Sequence, residues 1–191
     1  MEALFVSLST VAIAEMGDRT QLLSLFLTTR FRKPLPIIAA IFLATLANHG
    51  AAGAIGVWVG RYLTPTILDM TVGVSMLAMA LWALKSDILD EEEQSSGRSA
   101  FLTTLVAFFV AEIGDKTQIA TIALAAGYTN LVAVVAGTTA GMMLANIPVV
   151  LLGNAFATRL PLKAIHYVAS GLFVVLGALF LVRGIGHIRG I

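Results

Sequence analysis

Ala14-Glu15-Met16-Gly17-Asp18-Arg19-Thr20-Gln21 and Ala111-Glu112-Ile113-Gly114-Asp115-Lys116-Thr117-Gln118 are one polar stretch written twice in otherwise apolar sequence, 97 residues apart in a chain of 191. Each half of the chain carries one copy. Ionisable groups are costly inside a bilayer and by default mark a functional site there. Two matched copies point to one purpose served from both halves.

The surrounding sequence has the composition of a membrane protein. It is 58% hydrophobic and 12% charged, with a mean hydropathy of +0.92, whereas soluble domains average about 25% charged residues. A net charge of +1 leaves no basic stripe for phosphates, which excludes a nucleic-acid partner. With no cysteine, disulfides, thiolate nucleophiles and thiolate metal sites are excluded. Ala12-Ile13-Ala14 has the form of a signal-peptidase site, but no basic region precedes the apolar run, so it reads as part of a retained first helix.

Six apolar stretches, about 3–29, 36–61, 66–84, 100–126, 130–157 and 162–183, are each long enough to cross roughly 30 Å of hydrocarbon. The fold expected is all-α and membrane-integral, with six transmembrane helices. The halves align beyond the motif: Asn48 with Asn146, Pro65 with Pro161 and Gly73 with Gly171, at offsets of 96 to 98. Residues 1–84 form a first three-helix repeat and 100–191 a second. Between them, 85–99 holds Asp90-Glu91-Glu92-Glu93 and reads as an acidic, solvated linker. Three is odd, so the second repeat enters from the opposite face. This is the inverted-repeat plan, which places a site at mid-membrane. Glu15 lies about 12 residues into its span, roughly 18 Å at 1.5 Å per residue, and Glu112 is equally deep from the other face.

Seven Lys and Arg (Arg30, Arg32, Lys33, Lys85, Arg98, Arg159, Lys163) fall on one side of the six spans, against Arg61, Arg183 and Arg189 on the other. The positive-inside rule then puts the linker in the cytoplasm and both termini outside. Trp58, Tyr62 and Trp82 lie near span ends, as interfacial anchors do. Asp69 reads as interfacial, and Gly137 and Gly141 as a site of close helix packing within the monomer.

In an unbroken helix Glu15 and Asp18 are i and i+3 and share a face, with Gln21 continuing the strip. Gly17 permits local unwinding, which would free carbonyls as further ligands. Gly114 does the same for Glu112 and Asp115. Four carboxylates against Arg19 and Lys116 leave a charge of −2, which one divalent cation or two protons neutralise. Cation in and protons out is exchange chemistry. Carboxylates, amides (Gln21, Asn48, Gln118, Asn146) and hydroxyls (Thr20, Thr117) are hard oxygen donors suited to Mg²⁺, Ca²⁺ and Mn²⁺. A purely structural ion pair of Glu15 with Arg19 at i,i+4 would account for one copy, but not for the recurrence of Gly17 and Asp18. Ligation and interhelical hydrogen bonding fit Asn48 and Asn146 equally. His49 has no counterpart, since Ile147 holds that place; it reads as a packed or water-facing side chain rather than a proton relay.

The paired Glu-φ-Gly-Asp-(Lys/Arg)-(Thr/Ser) signature resembles that of the MneA/Gdt family of cation/proton exchangers, which includes bacterial manganese exporters and Golgi manganese/calcium transporters and is grouped with LysE-type exporters. The resemblance covers the whole chain. It implies that Glu15, Asp18, Glu112 and Asp115 are cation ligands and proton acceptors, and that Thr20, Gln21, Thr117 and Gln118 are nearby polar groups. It also implies that Arg19 and Lys116 tune charge and gate the site. No long N-terminal targeting region precedes the first motif, so the chain resembles a compact bacterial member in the cytoplasmic membrane.

The function expected is export of Mn²⁺, or of Ca²⁺, against inward proton flow, as one three-helix unit rocks against the other. The cation and protons are substrates and the lipid bilayer is the partner; no resident cofactor and no enzymatic activity are expected. A passive cation channel and an intramembrane aspartyl protease are the alternatives. The protease fits less well, because its two sides are expected to differ, whereas here a Glu and a cation accompany each Asp. Sequence separates neither Mn²⁺ from Ca²⁺, since both take oxygen ligands, nor one oligomeric state from another.

Overall fold

The computed structural model describes residues 1–82, 84, 99–153 and 162–189. The acidic run Asp90–Glu93 and the basic residues Lys85, Arg98 and Arg159 lie outside the described residues. Eight helices form among the described residues: α1 (Glu2–Glu15), α2 (Arg19–Phe31), α3 (Pro34–Gly60), α4 (Pro65–Trp82), α5 (Ala100–Glu112), α6 (Lys116–Gly127), α7 (Leu131–Leu152) and α8 (Leu162–Arg189). There is regular local chemistry at their ends. Pro34 occupies the first turn of α3, where its missing N–H costs nothing. Ser99 and Asn130 cap α5 and α7 by accepting from the backbone N–H of Leu102 and Ala133, as N-cap residues do.

Three stretches, Pro34–Gly60, Leu131–Leu152 and Ser170–His187, are long and apolar enough to cross a membrane. Their outer faces are apolar as well as their inner ones: Phe42, Leu46 and Ile55 on α3, Leu144 and Leu151 on α7, and Val175, Leu179 and Val182 on α8 are all exposed. A helix apolar all round suits hydrocarbon rather than water. Trp58 and Tyr62 stack edge-on, ring centroids 5.3 Å apart, at the C-terminal end of α3 and exposed, as expected of interfacial aromatics.

The first and fourth apolar stretches are not continuous helices. Each is broken at its motif, which corrects the expectation that Glu15 and Asp18 share one helical face. α1 stops at Glu15 and α2 begins at Arg19; α5 stops at Glu112 and α6 begins at Lys116. The two breaks are copies of one turn. Met16 (φ −64°, ψ 122°) and Ile113 (φ −66°, ψ 120°) precede Gly17 (φ 78°) and Gly114 (φ 75°). The Asp18 N–H donates to the Glu15 carbonyl at 3.1 Å, and the Asp115 N–H to the Glu112 carbonyl at 3.2 Å. These are type II turns, which require positive φ at their third residue and so favour glycine there. The N–H of Gly17 donates to Gln21 Oε1 at 2.7 Å, and that of Gly114 to Gln118 Oε1 at 2.8 Å. The motif's Gly and Gln are therefore one device, a turn and the side chain that satisfies its inner N–H.

Packing runs mainly between the halves of the chain. α1 lies along α7, α3 along α5, α6 and α7, and α4 along α8. Small residues allow close approach. A Cβ on Gly137 would sit 2.5 Å from the Leu4 carbonyl oxygen and one on Gly141 2.5 Å from that of Leu8, both on α1. One on Gly56 would sit 2.3 Å from the Ile122 carbonyl oxygen on α6. Gly73 and Gly177 face one another across α4 and α8. The Gly137/Gly141 pair thus packs within the monomer, as read from sequence. Among the described residues one apolar cluster draws on α1, α4, α6, α7 and α8 (Val72, Met76, Leu124, Phe173, Phe180) and a second on α2, α3, α5 and α7 (Leu27, Ile37, Ile41, Phe108, Val150). The chain passes from one cluster to the other at each motif. Asp69, read as interfacial, is buried in the protein against two partly exposed side chains, with His187 Nε2 at 3.2 Å and Arg183 Nε at 3.7 Å.

Two expectations follow for stability in detergent, measured by thermal unfolding. Gly137→Ala should destabilise by about 1–3 kcal/mol through overpacking, whereas Gly171→Ala, whose Cβ meets nothing within 4 Å, should be neutral or stabilising. Gly114→Ala also meets nothing within 4 Å, yet should lose about 1–2 kcal/mol because alanine resists positive φ.

Candidate cation-binding site

The two turns bring both motifs into one buried cluster. Glu15, Asp18 and Glu112 are fully buried, and Asp115 and Lys116 are each 3% exposed. One carboxylate oxygen from each of Glu15, Glu112 and Asp115 lies within 4.8 Å of the others. Donors on opposite sides of one ion are separated by twice the metal–oxygen distance, roughly 4–5 Å for ions between the sizes of Mg²⁺ and Ca²⁺. The trio therefore fits a single divalent cation. Its members come from both motifs, although they are far apart in sequence.

The charges cross between the motifs. Arg19, on α2, reaches Asp115 Oδ1 at 3.1 Å and the Ala111 carbonyl at 2.6 Å. Lys116, on α6, pairs with Asp18 Oδ1. Each cation thus serves the other copy's aspartate, and the i,i+4 pair of Glu15 with Arg19 is not the arrangement found. Asp18 lies with Lys116 outside the converging trio, so the four acids are not equivalent. Two cations against four carboxylates leave −2 in the cluster. Oε1 of Glu15 and Oε1 of Glu112 are buried with no hydrogen-bond partner. Polar atoms inside a protein are nearly always satisfied, so these two oxygens are open acceptors.

The neighbouring polar residues hold the acids in place. Thr20 Oγ1 donates to Glu15 Oε2 at 2.5 Å, and its counterpart Thr117 Oγ1 to Glu112 Oε2 at 3.3 Å. Asp115 also caps α6, accepting from the Thr117 N–H. Gln21 and Gln118 spend Oε1 on their glycines and Nε2 on the opposite half: Gln21 on the Ala145 carbonyl at 2.8 Å, Gln118 on Asn48 Oδ1 at 3.5 Å. Asn48 also donates to the Phe109 carbonyl. Asn146 accepts from Ser24 Oγ at 2.6 Å and donates to the Met142 carbonyl. Both asparagines are thus engaged in hydrogen bonds between or within helices. The carbonyls freed at the breaks are also partly used, that of Ala111 by Arg19 and those of Glu15 and Glu112 by the turns.

Sequence reasoning passed over Ser24 and read His49 as a packed or water-facing side chain. Ser24, which orients Asn146, has a hydroxyl-bearing counterpart 97 residues on in Thr121; this spacing could have found it. His49 is fully buried on α3 with Nε2 3.8 Å from Glu112 Oε2, and it breaks the two-fold pattern.

A protein-family model described as "Divalent cation/proton antiporter GDT1" matches residues 3–91 and 100–187. A Vibrio cholerae protein named "Putative manganese exporter" is 55% identical over 177 residues, covering 92% of this chain and 88% of that one. A rice protein named "GDT1-like protein 3" is 26% identical over 202 residues, 91% of this chain and 71% of its own. A rice "GDT1-like protein 1, chloroplastic" is 28% identical over 210 residues, 91% and 60% respectively. No solved structure matches. With both halves matched, each with its own copy of the acidic turn, the chain belongs to the GDT1 family of divalent cation/proton antiporters and is a membrane transport protein.

Proposed function

We propose that this protein exports Mn²⁺ from the cytoplasm in exchange for protons, with Ca²⁺ as a second candidate cargo, at the carboxylate cluster between the two broken helices. The observation that carries the reading is the convergence of Glu15, Glu112 and Asp115 oxygens within 4.8 Å in a cluster bearing −2. A dry cavity does not hold two uncompensated negative charges, because transfer of an unpaired ion to low dielectric is prohibitive. One M²⁺ or two H⁺ satisfies it, and the two occupants exclude one another. Glu15 and Glu112, each with an open oxygen, alternate between cation and proton. Asp115 completes the cation's ligands, and Asp18 fixes Lys116 beside them. Arg19 and Lys116 set the charge so that the site needs two positive units.

The chain's two halves are, on this reading, inverted three-helix repeats, 1–84 and 100–191. α1–α2 and α5–α6 each complete a crossing that neither half-helix is long enough to make alone. The sharing of one apolar cluster by α1 and α6, and of the other by α2 and α5, supports antiparallel broken helices with the site at mid-membrane. Such discontinuous helices are a recurrent way of building ion sites in transporters. The bias of basic residues puts the linker in the cytoplasm and the termini outside the inner membrane. The glycine-lined seams join α1 to α7 and α3 to α6, across the halves.

In proteoliposomes, an imposed pH gradient should drive Mn²⁺ accumulation, whereas a channel would only dissipate an Mn²⁺ gradient. Glu15→Gln and Glu112→Gln should each abolish this transport while leaving a folded, membrane-inserted protein; wild-type rates in Glu15→Gln would sink the mechanism. Lys116→Gln should destabilise by about 3–5 kcal/mol, as breaking a buried pair does. Asp18→Asn/Lys116→Gln should restore much of that loss in a double-mutant cycle read by thermal unfolding.

A further inference from the structure

We propose that His49 is a further ligand to the transported ion, through Nε2, and that it biases the site toward Mn²⁺ over Ca²⁺. The inference rests on the exchanger reading and adds to it the choice of cargo. His49 lies on the buried face of α3, beside Asn48 and one helical turn before Ala52 and Gly53. Its side chain has no solvent exposure, and neither ring nitrogen has a hydrogen-bond partner. A neutral imidazole carries one N–H donor and one lone pair, and burying both unsatisfied is unfavourable. Packing alone gives no account of why a polar ring occupies this place, since the matching position on α7 is Ile147.

The geometry supplies an account. His49 Nε2 is 3.8 Å from Glu112 Oε2, the oxygen that also accepts from Thr117, and Glu112 contributes to the converging trio, which His49 flanks without joining. Two donors about 2.1 Å from one small divalent ion can stand up to roughly 4.2 Å apart. An ion held by Glu112 on its His49 side is therefore within reach of the imidazole, whose Nε2 would find in it a partner. A nitrogen donor also changes selectivity. Ca²⁺ takes oxygen ligands, six to eight of them, while Mn²⁺, although oxygen donors also suit it, belongs to the first-row series that sites with nitrogen donors bind. The duplicated residues alone form an oxygen-only set that serves either cation. The unduplicated His49 is the residue that separates them.

The test is pulsed electron paramagnetic resonance on purified wild-type protein with one equivalent of Mn²⁺, recording the electron spin-echo envelope modulation from ligand nitrogen. Nitrogen coupling is expected, shifted by ¹⁵N-histidine labelling and absent in His49→Gln. In proteoliposomes His49→Gln, which supplies an oxygen in place of the nitrogen, should lower the Mn²⁺/Ca²⁺ transport preference by about tenfold or more, the scale on which single groups around a metal act. Mn²⁺ bound and transported by wild type without nitrogen coupling would overturn the assignment and leave the exchanger reading intact. Coupling that persists in His49→Gln would also overturn it. Absence of Mn²⁺ binding to wild type would remove both. The absence of nitrogen coupling in the wild-type spectrum needs no variant, so it overturns the assignment even if His49→Gln fails to fold.

Discussion

The crossed pairing of charge between the two motifs is the constraint on which the interior depends. Charged groups enter a low-dielectric core only if they are compensated and hydrogen-bonded. Here Arg19 serves Asp115 and Lys116 serves Asp18. Both of these pairs run between the motifs. The halves must meet before either can be buried, and meeting them fixes the register of α2 against α5 and of α6 against the α1–α2 turn. The close backbone contacts of α1 with α7 and α3 with α6 then follow as the packing that makes that register possible without voids.

The same crossing makes the site asymmetric from symmetric parts. Arg19 is partly exposed on its side chain, Lys116 almost wholly buried. Asp115 belongs to the converging trio and Asp18 does not. Thr20 holds Glu15 at 2.5 Å while Thr117 holds Glu112 at 3.3 Å. His49 stands by Glu112 with no equivalent near Glu15. The two halves share a plan, but the ion would meet two different sides. Such inequality is what a transporter in one conformation requires, since inward and outward access cannot be open alike.

Much of this was legible in sequence, and the failures have identifiable causes. The duplicated motif and the helical, apolar character of the chain were readable because polar residues stand out against an apolar background. The glycine between the acids was read as permitting unwinding, but helical spacing was still assumed across it. That placed Glu15 and Asp18 on one face. The spacing Glu-φ-Gly-Asp is that of a type II turn, in which φ precedes a glycine of positive φ, and the following Gln supplies the acceptor for its N–H. Which acid pairs with which cation was not legible, because it depends on how two helices distant in sequence cross. The burial of Asp69 with His187 was missed for the same reason: its partner lies on α8, more than a hundred residues on.

The turns also bear on how tightly transport can be coupled. At each break the N–H groups of the three turn residues are met locally: by a preceding carbonyl for Met16 and Ile113, by Gln21 or Gln118 for the glycine, and by the turn itself for the aspartate. On the proposed exchange, the four carboxylates and two cations make an empty cluster costly to move without a companion, so fidelity would rest on the same charges that bind the cargo.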